Sequence, residues 1–218
     1  MRAYKFLKAQ YGLEALRKRR LKQSRISELN DPFELRPYDL TDPRIRQAFL
    51  LTRDEIGAES GITCFSGLWT NPVIWAHYTE NHRGLCLGFD VTETQGNPEV
   101  DEYRHVKYIP KPLRFPPNFE ALPDSERFEI VQTILFTKFD HWEYETEIRG
   151  WAPLQHEYDG VHYLEFDEKL QLAEVVLGAR FEFRNNDVED ALGSLASHVR
   201  ILKARPAWDK FEMVEDEN

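Results

Sequence analysis

Gly84-Leu85-Cys86-Leu87-Gly88-Phe89-Asp90-Val91 is the stretch on which the fold turns. It is apolar on both faces of an extended chain, which predicts a strand in the middle of a sheet covered on both sides. Just before it, Gly61–Ser66 reads as another strand that ends in a loop, Gly67–Asn71, and Pro72 then opens a short helix through Tyr78. Beyond it, Tyr103–Ile109 alternates as a third strand, and Lys111–Asn118, with three of the chain's 12 prolines, is a loop. Asp124 or Ser125 then caps a helix whose residues Phe128, Val131, Ile134, Leu135 and Phe136 keep helical spacing.

Working further outward, Tyr4–Leu7 predicts an opening strand and residues 9–20 a helix, with Leu13, Leu16 and either Tyr11 or Ala15 toward a core. Leu21–Ser27 is a second short strand, broken by Asn30-Asp31-Pro32-Phe33-Glu34, where proline and Asn-Asp favour a turn. Thr41 or Asp42 caps a helix over Pro43–Ala58. The last third gives strands at Tyr144–Ala152, Val161–Phe166 and Leu172–Leu177. A helix follows from Asn186 to His198, capped by Asn186 or Asp187, and then closing strands near Arg200–Ala204 and Lys210–Val214. Regular βαβ alternation, a GxGxxG turn and a GxxxxGK[ST] loop are all missing. The expected fold is therefore α+β: one domain, residues 1–218, with a mainly antiparallel or split mixed sheet and flanking helices.

Composition narrows the class. Aromatics make up 13% of 218 residues, enough for a large core and a pocket lining. The formal net charge of −10 argues against nonspecific nucleic-acid affinity from the whole-molecule field. Arg17, Lys18, Arg19, Arg20, Lys22 and Arg25 are clustered against this trend. Such cations complement a helix C-terminus, the alternative being a local patch for a polyanion. Cys64 and Cys86 sit in apolar runs and read as buried free thiols of a reducing compartment rather than a cross-strand disulfide. Met1–Lys8 has no apolar stretch suited to a signal peptide, and no run approaches a membrane span, so a cytoplasmic protein is expected.

Three segments concentrate side chains capable of chemistry; the third, Asn30-Asp31-Pro32-Phe33-Glu34, has the plain alternative of a tight turn and helix cap, which alone explains its Asn, Asp and Pro. In Trp142-Glu143-Tyr144-Glu145-Thr146-Glu147-Ile148-Arg149, a continuous strand would turn Tyr144, Thr146 and Ile148 inward and line up Glu145, Glu147 and Arg149 on the other face. Two carboxylates about 7 Å apart beside a guanidinium could grip a sugar hydroxyl and stabilise developing positive charge. The plain alternative is a solvated face with an ion pair of little consequence. In Pro72–Tyr78 and the following His82, Trp75 shares a helix face with Tyr78, and His77 with Ile74. His77 and His82 could bind a ligand or move a proton, or they could be satisfied structural histidines. No metal site is expected, because HExxH and CxxC spacings are absent.

These clusters, with Tyr4-Lys5 before them, resemble the bacterial domain of unknown function family 2971. The resemblance runs through Asn30-Asp31-Pro32-Phe33-Glu34, Cys64-Phe65-Ser66, Trp75-Ala76-His77-Tyr78, His82-x-Gly84, Gly88-Phe89-Asp90, Trp142-x-Tyr144-Glu145-x-Glu147-x-Arg149 and Val175-Val176-Leu177-Gly178. A weaker resemblance, to ADP-ribosyltransferases of the toxin and DNA-modifying kinds, rests on Tyr4-Lys5, Phe65-Ser66 and Glu145-x-Glu147 in that order. The sequence departs from that pattern where a His or Arg would stand at Tyr4 or Lys5 and where Ser66 is followed by Gly67. This second resemblance implies an ADP-ribosyltransferase-like fold and an NAD-consuming transferase or NAD glycohydrolase, acting as a toxin or anti-phage effector. Glu147 and Glu145 would be catalytic. Tyr4, Lys5, Ser66, Trp75, His77, Tyr78, His82 and Arg149 would bind the nucleotide, with Trp69, Trp75 or Tyr78 stacking on nicotinamide. Nucleic acid or a protein of a defence complex would be further partners, and no membrane is involved. Two other classes stay open: a nuclease using His77, His82, Glu145 and Glu147, and a noncatalytic module that binds a ligand or a partner.

Overall fold

A computed structural model describes residues 1–92, 102–116 and 119–217. Its strands are β1 (Arg2–Leu7), β2 (Arg20–Gln23), β3 (Ser60–Ser66), β4 (Leu85–Val91), β5 (Glu102–His105), β6 (Lys107–Ile109), β7 (Thr137–Phe139), β8 (Glu147–Pro153), β9 (Glu157–Tyr158), β10 (Val161–Glu165), β11 (Leu170–Leu177), β12 (Arg200–Pro206) and β13 (Met213–Glu215). The α-helices are α1 (Ala9–Lys18), α2 (Pro43–Glu59), α3 (Pro72–Tyr78), α4 (Asp124–Leu135) and α5 (Asn185–Leu192), with short 3-10 turns between elements.

Eight strands form the main sheet in the order β13-β12-β11-β4-β1-β3-β8-β5, flanked by the small sheets β2-β10-β9 and β6-β7. Pairing in the main sheet is antiparallel except between β11 and β12, which α5 connects. The α+β class and the mixed, largely antiparallel sheet are as the sequence leads one to expect. So is the central place of β4: Leu85, Leu87 and Phe89 enter one core with Leu13 and Leu16 of α1 and Val188 and Leu192 of α5. Cys86, from the other face of the same strand, enters a second core with Phe6, Trp75 of α3, Val176 and Leu202. A third core gathers Leu35, Phe49, Ile62, Ile134, Leu135 and Trp151 under α2 and α4.

Local chemistry accounts for the helix starts. Asp42 accepts from the Arg44 N–H at 2.8 Å and Asn71 from the Val73 N–H at 2.9 Å, each with proline in the first turn. α1 ends on Arg19 in the left-handed region, φ 51°, with Arg17 and Lys18 in its last turn, as the dipole reading of that basic cluster expects. The remaining cations there are engaged locally: Lys22 pairs with Glu28, and Arg20 lies 3.7 Å from the Tyr163 ring centroid.

Several boundaries differ from the sequence reading. The helix read as Asn186–His198 stops at Leu192, because Gly193 leaves helical geometry at φ 53°. Its N-cap is Arg184, whose N–H Asp187 accepts, and Pro123 rather than Asp124 or Ser125 precedes α4. Residues 21–27 keep strand structure only to Gln23. Tyr103–Ile109 breaks at Val106, whose N–H turns to the Glu147 carbonyl. Tyr11 is exposed and Ala15 is buried. Positions 117 and 118 of the proline-rich loop lie outside the described residues. Among the described residues no helix is long and apolar enough to cross a membrane.

Candidate functional site

The continuous strand expected over Tyr144–Ala152 does not form. Asp140–Glu145 is a 3-10 turn, Thr146 takes φ 43°, and β8 begins only at Glu147. The reason is tertiary: the Gly67 N–H donates to the Thr146 carbonyl at 2.8 Å, and the Ser66 and Thr146 hydroxyls lie 3.2 Å apart. Glu147 and Arg149 share a strand face as expected, but that face is buried. Glu145 arrives from the turn, not from the same strand.

The main sheet splits beside these residues. β1 pairs with β4 over six positions but with β3 only at Tyr4↔Ser66. Past that pair the strands part, and β3 is bridged instead to Ser24 at Ile62. The gap is a cleft of about 310 Å³, lined by Tyr4, Lys5, Ser66, Tyr78, Glu145 and Glu147 together with Glu34 and Lys138. Because Ser66 also pairs with Glu147, Tyr4, Ser66 and Glu147 form one row across three adjacent strands at the point of the split. Lys5, on the opposite side of its strand from Tyr4, reaches across the gap, and its Nζ donates to the Cys64 carbonyl at 2.9 Å. Burial holds the Lys5 amine below its ordinary pKa.

Five charged side chains meet at and behind the cleft wall. Lys138 Nζ donates to Glu145 Oε2 at 2.8 Å and to Glu147 Oε2 at 2.9 Å, and lies 3.5 Å from Glu34 Oε2. Arg149 donates from Nε to Glu147 Oε1 at 2.7 Å, from Nη2 to Glu34 Oε1 at 2.6 Å and from Nη1 to the Leu135 carbonyl at 2.6 Å. The Tyr78 hydroxyl donates to Glu145 Oε1 at 2.6 Å, and the Tyr108 phenolic oxygen accepts from the Glu147 N–H at 2.8 Å. Burial alone would raise the Glu147 pKa, but the charges and hydrogen bonds of Arg149 and Lys138 hold it down at about 2. Burial also works against the Lys138 ammonium, yet the carboxylates of Glu147, Glu34 and Glu145 raise its pKa. Burial, then the bond to Glu145, raises that of the Tyr78 phenol. Glu34 and Glu147 each meet both cations and Glu145 meets Lys138 alone, so these five groups carry one formal negative charge in excess.

A second network borders the row. The Tyr4 hydroxyl donates to Glu174 Oε1 at 2.8 Å, and Arg2 Nη1 donates to the same oxygen at 2.8 Å. Both Tyr4 and Glu174 lie across Gly88. A Cβ there would sit 2.6 Å from Glu174 Cγ and 3.1 Å from Tyr4 Cε1, so a larger residue would push Glu174 aside and crowd the Tyr4 ring.

The remaining expected site residues lie elsewhere. Trp75 is 0% exposed, a core residue whose indole N–H donates to the Trp69 carbonyl at 2.6 Å. Its ring is closed to a nicotinamide. Trp69 packs against that same core, which leaves Tyr78 as the aromatic of the three that lines the cleft. His77 is exposed, 3.4 Å from the Tyr144 hydroxyl and outside the cleft lining. His82 takes φ 70°, stacks on Trp75 with centroids 6.3 Å apart and lines a different depression with Pro72 and Trp208. The four residues named for a nuclease are therefore not gathered in one place. Arg149 stands behind the cleft, fully buried, and orients Glu147 without lining the opening. Lys138, Tyr108 and Glu174 carry no signal in the sequence, and Glu34 carries one only as the last residue of the Asn30–Glu34 cluster, which a turn explains equally well.

Among the described residues no group of three His, Cys, Asp or Glu side chains is placed to hold a metal ion. Cys64 and Cys86 are free, and burial pushes both thiols above their ordinary range. No curated protein and no solved structure matches the chain. Residues 74–150, from α3 through the first half of β8, match the model of the family described as "Protein of unknown function (DUF2971)", so the resemblance to that family holds over the segment carrying Trp75-Ala76-His77-Tyr78 and Glu145-x-Glu147-x-Arg149.

Proposed function

We propose that the cleft binds NAD by its nicotinamide–ribose end and assists cleavage of the bond between them, passing the ADP-ribosyl group to an acceptor or to water. The observation that carries this reading is the row Tyr4–Ser66–Glu147 at the split of the sheet, with Lys5, Tyr78 and Glu145 around the same opening. Electrostatics support it. NAD carries a positive pyridinium, and as the glycosidic bond breaks that charge passes to the ribose as oxocarbenium character. Four carboxylates line the cleft, Glu28, Glu34, Glu145 and Glu147, against the cations Lys5 and Lys138 in its wall and Arg149 behind it, and the one negative charge left over favours both states and requires no proton transfer from the protein. The depressed pKa of Glu147 suits a permanently ionised stabiliser rather than a general acid. Glu145, nearer the opening and oriented by Tyr78 and Lys138, is the carboxylate best placed to accept from a ribose hydroxyl.

The test is release of nicotinamide from NAD, followed chromatographically. Glu147→Gln and Glu145→Gln should each lower turnover by about 10²–10³-fold. A far-ultraviolet circular dichroism spectrum would establish that each variant is folded. Undiminished turnover in a folded Glu147→Gln protein would sink the assignment, as would failure of the parent protein to bind or cleave NAD.

A further inference from the structure

Beside the cleft, on the other side of the Asn30–Arg36 turn, lies a second cavity of about 260 Å³ that shares Lys138 as a wall. Phe33 and Phe139 line it and remain 68% and 43% exposed. Arg36 and Lys111 line it too, and no carboxylate does. Among the described residues neither cation has an ion-pair partner, and the Arg36 guanidinium lies 5.6 Å from the Phe33 ring centroid. In a chain of net charge −10, a depression lined only by neutral and cationic groups suits an anionic occupant.

The cavity is preformed. Three prolines line it, fixing backbone that carries no N–H there. The segments that hold them are tied together: the Leu113 N–H donates to the Pro37 carbonyl at 2.7 Å and the Asp39 N–H to the Leu113 carbonyl at 2.9 Å. The parallel pair Ile109↔Phe139 brings two of its lining side chains together. A planar ring can rest against the parts of Phe33 and Phe139 left exposed, the Phe139 ring also packing against His141 at 4.4 Å between centroids, while an anion meets Arg36 and Lys111. The volume is somewhat below the roughly 300 Å³ at which pockets for drug-sized ligands begin, which fits one ring system and its phosphate rather than a dinucleotide.

We infer that this cavity is a binding site for an aromatic anion of mononucleotide size, its ring against Phe33 and Phe139 and its phosphate at Arg36 and Lys111. The inference does not depend on cleavage of NAD in the neighbouring cleft. Lys138 gives it a consequence, however: its stem walls the cavity while its ammonium holds Glu34, Glu145 and Glu147 in place. An occupant is therefore one side chain away from the carboxylates.

The test uses AMP as the probe, with adenosine, inorganic phosphate and a short single-stranded oligonucleotide as comparisons, by isothermal titration calorimetry on the full chain. AMP is expected to bind at least tenfold more tightly than adenosine or phosphate alone. Arg36→Ala, Lys111→Ala and Phe139→Ala should each weaken it by about tenfold, the first two also flattening its dependence on salt. All three residues are exposed, so these variants fold. Equal affinity for adenosine, AMP binding indifferent to the three substitutions, or tighter binding of the oligonucleotide than of AMP would overturn the inference. A protein that binds AMP through Arg36 yet releases no nicotinamide would remove the cleft assignment and leave this one standing.

Discussion

Replacing Arg149 by methionine tests whether the buried charge cluster holds the site together. Arg149 is 0% exposed and connects three parts of the chain: Glu147 of β8, Glu34 of the Asn30–Arg36 turn and the Leu135 carbonyl at the end of α4. Methionine keeps the apolar stem but leaves two buried carboxylates short of a partner and takes the cluster from one excess negative charge to two. Breaking a buried pair by removing one member costs about 3–5 kcal/mol. The titration of Glu147 gives a separate figure. A carboxyl held at about 2 instead of 4.5 contributes about 3 kcal/mol at neutral pH, with Arg149 the first of the favourable influences. Because the folded-state pKa is the lower one, this stability is complete above about pH 4.5 and is lost as pH falls through 2. Arg149→Met should therefore unfold at a urea midpoint lower by about 1.5–2.5 M at pH 7, for a slope of about 2 kcal/mol per molar. The gap should narrow by about 2 kcal/mol at pH 3, where Glu147 of the variant is protonated in both states. Equilibrium urea unfolding followed by tryptophan fluorescence measures both quantities. A loss under about 1 kcal/mol, or one of equal size at pH 3 and pH 7, would refute the reasoning.

Gly88→Ala should cost about 1–3 kcal/mol by overpacking, since its Cβ would displace Glu174 or the Tyr4 ring. The cost should fall measurably in a Glu174→Ala background, and a double-mutant cycle with no coupling would show that Gly88 does not serve that contact. Cys86, fully buried, should not react with an aromatic disulfide reagent within minutes at pH 8 in the native protein, whereas Cys64, half-buried at the cleft wall with its thiol pKa raised by burial, should react more slowly than a free thiol, and both should react in denaturant. Rapid labelling of Cys86, located by peptide mapping, before unfolding would contradict its burial.

Much of this architecture was legible in the sequence because it rests on local or periodic features. The double-faced apolar run Leu85–Val91 determined its own place in the sheet, since a strand that buries both faces must have layers on both sides. Asp42-Pro43 and Asn71-Pro72 determined where α2 and α3 begin, through caps that involve neighbours only. Tyr4, Lys5, Ser66, Tyr78, Glu145 and Glu147 were all named from sequence, and the cleft gathers all six. The tertiary structure decided what each does. Alternation at Tyr144–Arg149 could not reveal that Thr146 turns left-handed, because contacts from Gly67 and Ser66 impose that conformation from across the fold. Nor could it show that Lys138, on a strand of three residues with no periodicity to read, would carry the charge that joins Glu34, Glu145 and Glu147. Trp75 and His77 looked like pocket residues by type and were assigned to the core and the surface by the direction in which α3 faces. Local chemistry fixes helix starts and strand faces. Which charges meet in the interior depends on strand order and on the single pair, Tyr4↔Ser66, at which the sheet divides.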